Sequence, residues 1–589
     1  MSGKVLEVQA LDDRDWLATQ ISYNYENWHN QMRGRMDELK ELRGYLFATS
    51  TADTTNSSLP WTNTTTTPKL CQLRDNLHAN YMDALFPNDK AFKWQGADSE
   101  AETVEKREAI EGYMRNKTDR TFHRNTVSRL VYDYIDGNAF SDVEYVNETY
   151  TDPSTGEVVT GYVGPRLVRI DPTAIVFNPT AVTFEESPKI TRLIKSFGEL
   201  ELEATNKPEM AYLMDAITDS KSVRGMFSGF DIGDQLKSEA YAIEGFGSLM
   251  EYYQSPYVEI LEFEGNIRDE AGTLLTNYLI TVIDRRRIIR SIPNPSWLGR
   301  SSKHHVGWRL RPDNLWAMGP LDNLVGMQYR IDHLENLKAD ALDLSVHLPL
   351  AIEGEVEEFQ WGPGVEIHFD EGGSISPVKV DLSGIYAATS DIQRLQEQME
   401  LMAGAPREAM GIRTPGEKTA FEVGELGNAA RRIFQEKLTN FEINQSEPLL
   451  NGMLETAVRN LDQADVIRVV DKDNGAVEFM TITKEDITAN GVIRPIGARH
   501  FAKQAQDLQN LIGVFNSPIG AMIAPHTSAK ELTNYIEDVT GLNGYNIFEP
   551  NVAIFEQQET SRVVNQAQED LEVEQGTPAE GSLPEEEIE

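Results

Sequence analysis

The scarcest residue in this chain of 589 amino acids is cysteine, which occurs only as Cys71. A disulfide within the chain is therefore impossible, and zinc sites built from several cysteines are excluded. Long apolar runs are also missing, because no stretch reaches the roughly eighteen residues that a membrane-spanning helix needs. The first residues, MSGKVLEVQALDDRDW, lack the apolar core of a signal peptide. We therefore expect a protein that folds in a reducing cytosol and has no membrane partner.

Positive charge is the second shortage. The chain has 54 lysines and arginines against 94 aspartates and glutamates, which gives a formal net charge of −40 at pH 7. Proteins that grip nucleic acid through its phosphates usually carry the opposite sign, so a tight, wrapping nucleic-acid binder is not expected. An acidic protein can still handle DNA if its task is to keep the DNA from sticking. The apolar content of 40% is ordinary for a soluble chain of two to four domains.

Recognisable catalytic motifs are missing too. The stretch GIRTPGEKTAFEV at 411–423 is close to a phosphate-binding loop, but Glu417 intervenes and Lys418 comes one residue late. The sequence before it, QRLQEQMELMAG, has a helical pattern, whereas such a loop follows a buried strand. The ten histidines are scattered, and neither H-E-x-x-H nor G-x-S-x-G occurs. We therefore predict a protein that is not an enzyme and has no cofactor or metal.

The distribution of apolar residues predicts an α+β fold. Helical periodicity appears first at 12–47, 69–86 and 101–135, and short β-branched runs follow in two blocks at 137–183 and 257–311. The Ser/Thr/Asn-rich residues 49–68 read as a loop. Two further helices, each roughly 30 Å or longer, enclose a Gly/Pro-punctuated segment with strands. The second of them has an apolar stripe at intervals of three and four residues, formed by Ile385, Ala388, Ile392, Leu395, Met399 and Met402.

One basic stretch stands out against the acidic average. Between Arg285 and Arg311 there are eight basic residues and no acidic one. They are Arg285, Arg286, Arg287, Arg290, Arg300, Lys303, Arg309 and Arg311. This stretch could contact nucleic acid, or it could form a patch complementary to the acidic surface of a neighbouring subunit. We favour the neighbouring subunit, because acidic surface is plentiful and like-charged subunits need such a patch to assemble.

Several stretches resemble the portal, or head-to-tail connector, proteins of tailed bacteriophages of the podovirus type. GPLDNLVGMQYRIDHLENLKADAL resembles their first stem helix, and PGVEIHF resembles a strand of their clip. DIQRLQEQMELMAGAPREAMG resembles the second stem helix running into the tunnel loop. TAFEVGELGNAARRIFQEKLTNFEINQSEPLL resembles the long helix that follows. The resemblance is best over about 315–460, while the first 300 residues match only in general character.

The resemblance implies a portal fold with an α/β wing, a two-helix stem, a small β-containing clip and a helical crown. Its parts are mapped onto this chain as follows: 1–318 wing, 319–345 first stem helix, 346–383 clip, 384–404 second stem helix, 405–418 tunnel loop, 419–460 long wing helix kinked near Pro448, 461–495 wing return strands, 496–570 crown and 571–589 disordered acidic tail.

The family also implies a function. Its members form a homo-oligomeric ring, here expected to have twelve subunits by analogy, at one vertex of the capsid. Double-stranded DNA passes through the channel during packaging and ejection. Expected partners are the terminase large subunit, then adaptor or tail proteins, with major capsid and scaffolding proteins around the wing. The expected location is the virion, and the host cytoplasm during assembly.

This interpretation assigns roles to particular side chains. The stem would pack through Ile385, Ile392, Leu395, Met399 and Met402, and acidic residues would line the channel at Asp332, Glu335 and Asp391. Because such carboxylates repel phosphates, DNA could slide without being trapped. The tunnel-loop residues Arg407, Arg413 and Lys418 would contact DNA or pair with adjacent subunits.

Three other interpretations stay open. The chain could be another head-completion or tail structural protein, which shares the acidic character without needing a channel. It could be a P-loop packaging motor or nuclease, which the defective phosphate loop disfavours. It could also be a bacterial cytosolic enzyme without a visible signature.

Overall fold

The computed structural model describes thirteen stretches of the chain and two isolated residues, 154 and 156. The stretches are 15–47, 63–86, 92–151, 158–206, 212–226, 257–296, 301–346, 350–354, 374–378, 383–403, 433–461, 465–470 and 477–496. Within them the protein mixes helices with antiparallel sheets, so the predicted α+β class is confirmed. Of the predicted parts, the tunnel loop, the crown after residue 496, the acidic tail and the clip strand PGVEIHF at 363–369 lie outside the described residues.

The helices account for the long periodic segments of the sequence. They are α1 Trp16–Phe47, α2 Lys69–Leu85, α3 Val104–Arg120, α4 His123–Ile135, α5 Phe197–Asn206, α6 Met214–Met226, α7 Val325–Val346, α8 Ser383–Ala403, α9 433–441, α10 Glu447–Asn460 and α11 Lys484–Ile487. The helix predicted over 101–135 is interrupted at Phe122, whose backbone is left-handed with φ of 53°. A bulky residue in that conformation ends one helix before the next begins.

Most of the strands fall in the two blocks that the sequence predicts, in the predicted clip and in the return region. The strands are β1 Phe92–Gly96, β2 Asn138–Thr151, β3 Val158–Ile170, β4 Ile175–Phe177, β5 Lys189–Ser196, β6 Tyr257–Arg268, β7 Leu274–Ile283, β8 Arg287–Pro293, β9 His304–Gly307, β10 Arg309–Arg311, β11 Asn314–Met318, β12 Leu350–Glu353, β13 Ser374–Pro377, β14 Asp465–Val470, β15 Val477–Ile482 and β16 Gly491–Pro495. Of these, β1, β5 and β11 lie outside the predicted regions.

The largest sheet has five strands in the order β4-β5-β6-β7-β8, and all its neighbours are antiparallel. Successive side chains of a strand point to opposite faces, and both faces here are covered. Leu261 and Phe263 of β6 pack with α1, whereas Val258 and Ile260 pack with α5 and α6. The sheet is therefore a buried layer between helices, which explains why its strands are so rich in apolar residues.

A second sheet has the order β3-β2-β9, with α4 and α10 packed on it. An aromatic cluster ties it to α2 and α9. Tyr134 lies 5.0 Å from Trp308 and 5.2 Å from Phe441 between ring centroids, and its hydroxyl donates to the carbonyl of Lys437. Far apart in sequence, β1 and β16 also pair, so the segment after α10 returns to the N-terminal part of the fold.

The long helix predicted at 419–460 is described from residue 433 onward. Between α9 and α10 it contains a π-helical turn, Glu442–Ser446, immediately before Pro448. Proline has no amide hydrogen to donate, and its ring clashes with the preceding turn of a regular α-helix. The wider π turn accommodates this irregularity, and such turns are a recognised cause of helix kinks.

The chain divides into two compact units. The larger comprises 1–467 and 481–498, and the smaller comprises 468–480 and 499–589. The described residues of the smaller unit are 468–470 and 477–480, which belong to β14 and β15. All other described residues belong to the larger unit.

Candidate functional site: a helical pair and the strap along it

Helices α7 and α8 form an antiparallel pair, called here the helical pair. Strands β12 and β13, which follow α7 and precede α8, pair with each other from Leu350–Pro377 to Glu353–Ser374. This pairing brings the end of α7 close to the start of α8. The other end of α8 contacts the short turn Asp322–Leu324, from which α7 begins. At 1.5 Å per residue, each helix is about 30 Å long.

The seam between the two helices uses most of the predicted stripe. Ile392, Leu395 and Met399 of α8 are buried, as are Ile331 and Leu334 of α7. The ends of the stripe are different. Ile385 is half-buried and Met402 is exposed. Within one chain, therefore, neither end of the stripe is buried as fully as its centre.

The outer surface of the helical pair is unusually apolar. Tyr386 is 80% exposed and Leu401 is 66% exposed in the single chain. The other large apolar side chains exposed on the pair are Leu337, Leu342, Leu344, Val346 and Met402. Contiguous patches of exposed apolar side chains are typical of surfaces that bind a partner.

One face of α7 binds an extended segment, residues 63–68, which we call the strap. The backbone amides of Asn63, Thr65 and Thr67 donate to side chains of α7 at Asp340 (3.0 Å), Asn336 (2.8 Å) and Asp332 (2.9 Å). Asn336 also donates to the carbonyl of Thr65, at 3.0 Å. The strap thus runs antiparallel to α7, and every second residue is held.

The register of these contacts follows from two repeats. Two residues of extended chain advance about 6.6 Å, and four residues of α-helix advance about 6.0 Å. A polar side chain at every fourth helical position can therefore meet every second amide of the strap. Gln328 extends the series by one turn, donating to the carbonyl of Thr67 and accepting from the amide of Leu70.

The sequence predicts that Asp332 lines a channel, but the structure buries it beneath the strap. Its Oδ1 accepts from the amide of Thr67 and from Gln328. Its Oδ2 is buried and has no partner among the described residues. Burial raises the pKa of Asp332 to about 6, despite these two hydrogen bonds. A carboxylate in this position binds backbone and does not face water.

The other two acidic residues predicted to line a channel do lie on the surface of the helical pair. Glu335 is half-buried and pairs with Lys338 one turn further along α7. Asp391 pairs with Arg394 at 2.6 Å on α8. Each carboxylate therefore has a local counter-charge, which reduces the negative field that it projects.

The base of the helical pair is fastened by buried ion pairs. Lys69, where the strap enters α2, lies 2.5 Å from Glu400 of α8. Arg35 of α1 lies 2.6 Å from Asp322 and also donates to the carbonyl of Asp136. Breaking such pairs on one side leaves an uncompensated buried charge, so these contacts hold the pair firmly to the rest of the fold.

The basic stretch is placed differently from the predicted inter-subunit patch. Arg285 makes two hydrogen bonds to Glu259, at 2.7 and 2.9 Å, and Arg290 pairs with Glu262, all within one chain. Both arginines are largely buried. Burial alone would raise the pKa of Glu259, but Arg285 and Arg192 lower it to about 2. These cations thus neutralise acids of the neighbouring strand β6.

The remaining basic residues divide into three groups. Arg286 is also buried, and Lys303 lies 3.2 Å from Glu264 inside the fold. Arg287 is half-exposed, with Asp15 3.5 Å away. Among the described residues of the basic stretch, Arg309 and Arg311 alone lie on a fully exposed strand, β10, as the predicted patch requires. Arg300 and the tunnel-loop residues Arg407, Arg413 and Lys418 lie outside the described residues.

The strap site was not foreseen, although a signal for it is present in the sequence. Amide or carboxylate residues recur every fourth position along α7, at Gln328, Asp332, Asn336 and Asp340. Three of these four are fully buried, and a repeated polar position on a buried helix face requires hydrogen-bond partners. The backbone of residues 63–70 is such a partner, because one of its amides donates to each of the four side chains.

No protein-family model matches the chain, and no curated protein matches it either. Among the described residues there is no cluster of histidine, cysteine, aspartate or glutamate arranged to hold a metal ion. The helices that the structure describes include none with the length and apolar character needed to cross a membrane.

Proposed function

We propose that this chain is a portal protein of a tailed bacteriophage. Copies of it would form a ring at one capsid vertex, through which double-stranded DNA enters and leaves. The ring would bind the terminase large subunit during packaging and adaptor or tail proteins afterwards. The major capsid and scaffolding proteins would contact its outer part. The protein would act in the virion and, during assembly, in the host cytoplasm.

The observation that carries this proposal is the helical pair. Two antiparallel helices of about 30 Å extend from a base fixed by buried ion pairs, and the paired strands β12 and β13 lie beyond their other ends. This is the arrangement expected of a portal stem with its clip. The exposed apolar side chains, Tyr386 and Leu401 among them, would be covered if the pairs of neighbouring copies packed side by side.

The charges of the helical pair support passage of DNA without strong binding. Asp391 and Glu335 are partly offset by Arg394 and Lys338, and Glu397 is exposed. A mildly electronegative wall repels phosphates and offers few deep binding minima, whereas a basic wall would hold DNA through counterion release. DNA could therefore slide in both directions.

Electron microscopy and native mass spectrometry of the purified protein test the proposal directly. The expected result is a ring with a central hole and a mass of about twelve subunits, with the helical pair next to the hole. Replacing Tyr386 and Leu401 together by aspartate should leave folded monomers. Replacing Tyr23, which is similarly exposed but lies on α1, should leave the rings intact.

Two results would count against the proposal. A compact monomer at all protein concentrations would favour an enzyme or another isolated domain. An open filament or stacked tube, without a closed ring, would favour a different head-completion or tail protein, because only closure produces one channel.

A further inference from the structure

We propose that the strap is a latch that fastens the helical pair to the rest of the fold, and that a proton on Asp332 tightens it. This inference does not depend on the proposed function, since it concerns contacts within one chain. It is based on the ladder of hydrogen bonds along α7, on the ion pair at its end, and on Oδ2 of Asp332, which has no partner among the described residues.

The ladder is specific for extended backbone. Asn336 both donates to and accepts from Thr65, as one strand does to the next in a sheet. At the start of the strap, the side-chain amide of Asn63 donates hydrogen bonds to Asp340 and Asp343, at 2.7 and 2.9 Å. Because most contacts go to main-chain groups, the strap is held by its conformation more than by its side chains.

The latch reaches both helices of the pair. The strap covers α7 along about four turns, and the residue that follows it, Lys69, pairs with Glu400 of α8. The lysine and glutamate are both buried. Releasing the strap would therefore expose the polar face of α7 and remove a tie between α2 and α8 at the same time.

The position of the unsatisfied oxygen explains the role of the proton. Oδ1 of Asp332 accepts both hydrogen bonds, from Thr67 at 2.9 Å and from Gln328 at 3.0 Å, while Oδ2 has none among the described residues. A proton placed on Oδ2 leaves both bonds intact and removes a charge from a buried position. Burying an unpaired charge is costly. The strap should therefore bind α7 more tightly when Asp332 is protonated.

The charges around Asp332 act in the same direction. Glu335, on the same helix, raises the pKa of Asp332 beyond the effect of burial. Lys69 pairs with Glu400 and Arg35 pairs with Asp322, so neither cation forms an ion pair with Asp332. With a pKa raised from 3.8 to about 6 in the latched state, protonation favours latching as pH falls through about 6. Above that pH the latch loosens.

Hydrogen exchange measured by mass spectrometry on the full chain tests this inference. The comparison is between the wild type and Asp332→Asn, on peptides covering the strap, at about pH 5 and about pH 8. The strap sequence is unchanged, so the intrinsic exchange chemistry cancels in the ratio. At the higher pH the strap of the wild type should exchange faster than that of the variant, by at most about a hundredfold for a shift of two pKa units. At about pH 5, which lies between 3.8 and 6, the excess should fall roughly tenfold without vanishing, because Asp332 of a released strap is still mostly ionised.

Two controls keep the inference falsifiable. Asp391→Asn removes the same charge from the helical pair without touching the strap, and it should leave strap exchange unchanged at both pH values. Asn336→Ala removes the contacts to Thr65 and should speed strap exchange at both. A ratio between wild type and Asp332→Asn that is the same at both pH values would overturn the role of the proton. Unchanged exchange in Asn336→Ala would overturn the latch itself.

Discussion

Replacing Glu259 by glutamine should destabilise the five-stranded sheet far more than its single lost charge would suggest. Glu259 is fully buried on β6 and joins Arg285 and Arg192, which approach it to within 2.9 Å. Glutamine preserves the shape but removes the charge of Glu259 from both guanidinium groups, while Arg285 keeps its contact with the more exposed Glu26. Removing one side of a buried ion pair typically costs about 3–5 kcal/mol.

The pKa of Glu259 gives an independent magnitude. Lowering it from 4.5 to about 2 corresponds to about 3 kcal/mol, at about 1.36 kcal/mol per unit. Because the pKa is lower in the folded state, this stability is fully present above pH 4.5 and is lost as the pH falls towards 2. The glutamine variant cannot be protonated in this range, so its deficit relative to the wild type should shrink below pH 4.5.

Denaturant unfolding followed by circular dichroism, at pH 7 and again near pH 3, measures both effects. The matched control is Glu201→Gln, which breaks an ion pair with Lys221 whose side chains are 37% and 55% exposed. An exposed pair of this kind contributes at most about 1 kcal/mol. If Glu259→Gln cost no more than this control, or if its deficit were independent of pH, our account of the buried network would be refuted.

Three other substitutions test further contacts. Lys69→Met leaves Glu400 buried without its cation, and thermal unfolding should show a loss of about 3–5 kcal/mol. Gly319→Ala would place a Cβ 2.4 Å from the carbonyl oxygen of Ile135. Because both are fixed by backbone, a loss of about 3 kcal/mol or failure to fold is expected, which the yield of soluble protein and the midpoint of unfolding would show. Asp391→Lys adds positive charge to the helical pair, and isolated rings should then retain DNA at low salt and release it at high salt. Retention that is equal to that of the wild type at low salt would contradict the proposed electronegative channel.

The sequence predicts the helical pair well because its signal is local. The apolar stripe of α8 repeats with the helical period, and the burial of Ile392, Leu395 and Met399 matches it. The predicted limits, 319–345 and 384–404, differ by a few residues from the observed helices. Most of the difference arises at the start of α7, where residues 322–324 form a 3₁₀ turn.

The burial and the ion-pair partners of the basic stretch could not be predicted from such local patterns. Arg285 reaches Glu259 because β6 and β7 pair in a register that places Ile283 opposite Ile260. That register is a non-local property, and a shift of one residue would send the side chains to the other face. The sequence alone does not distinguish an arginine that pairs with an acid of its own chain from one that pairs with a neighbouring subunit.

The strap illustrates a different limit of prediction from sequence. It also changes how the charge of the helical pair should be counted. Its four threonines and Asn63 predict a loop, correctly, in that they have no apolar face to bury. Its contacts are made mainly by backbone groups, however, so they cannot be predicted from the identity of its residues. Asp332 and Asp340 serve as hydrogen-bond acceptors for that backbone, and the net charge of α7 overstates what a solute beside it would feel. Any electrostatic smoothing of DNA passage must then come from carboxylates such as Glu335 and Asp391. Since both have a basic neighbour within one helical turn, the effect should be modest and strongly weakened by salt.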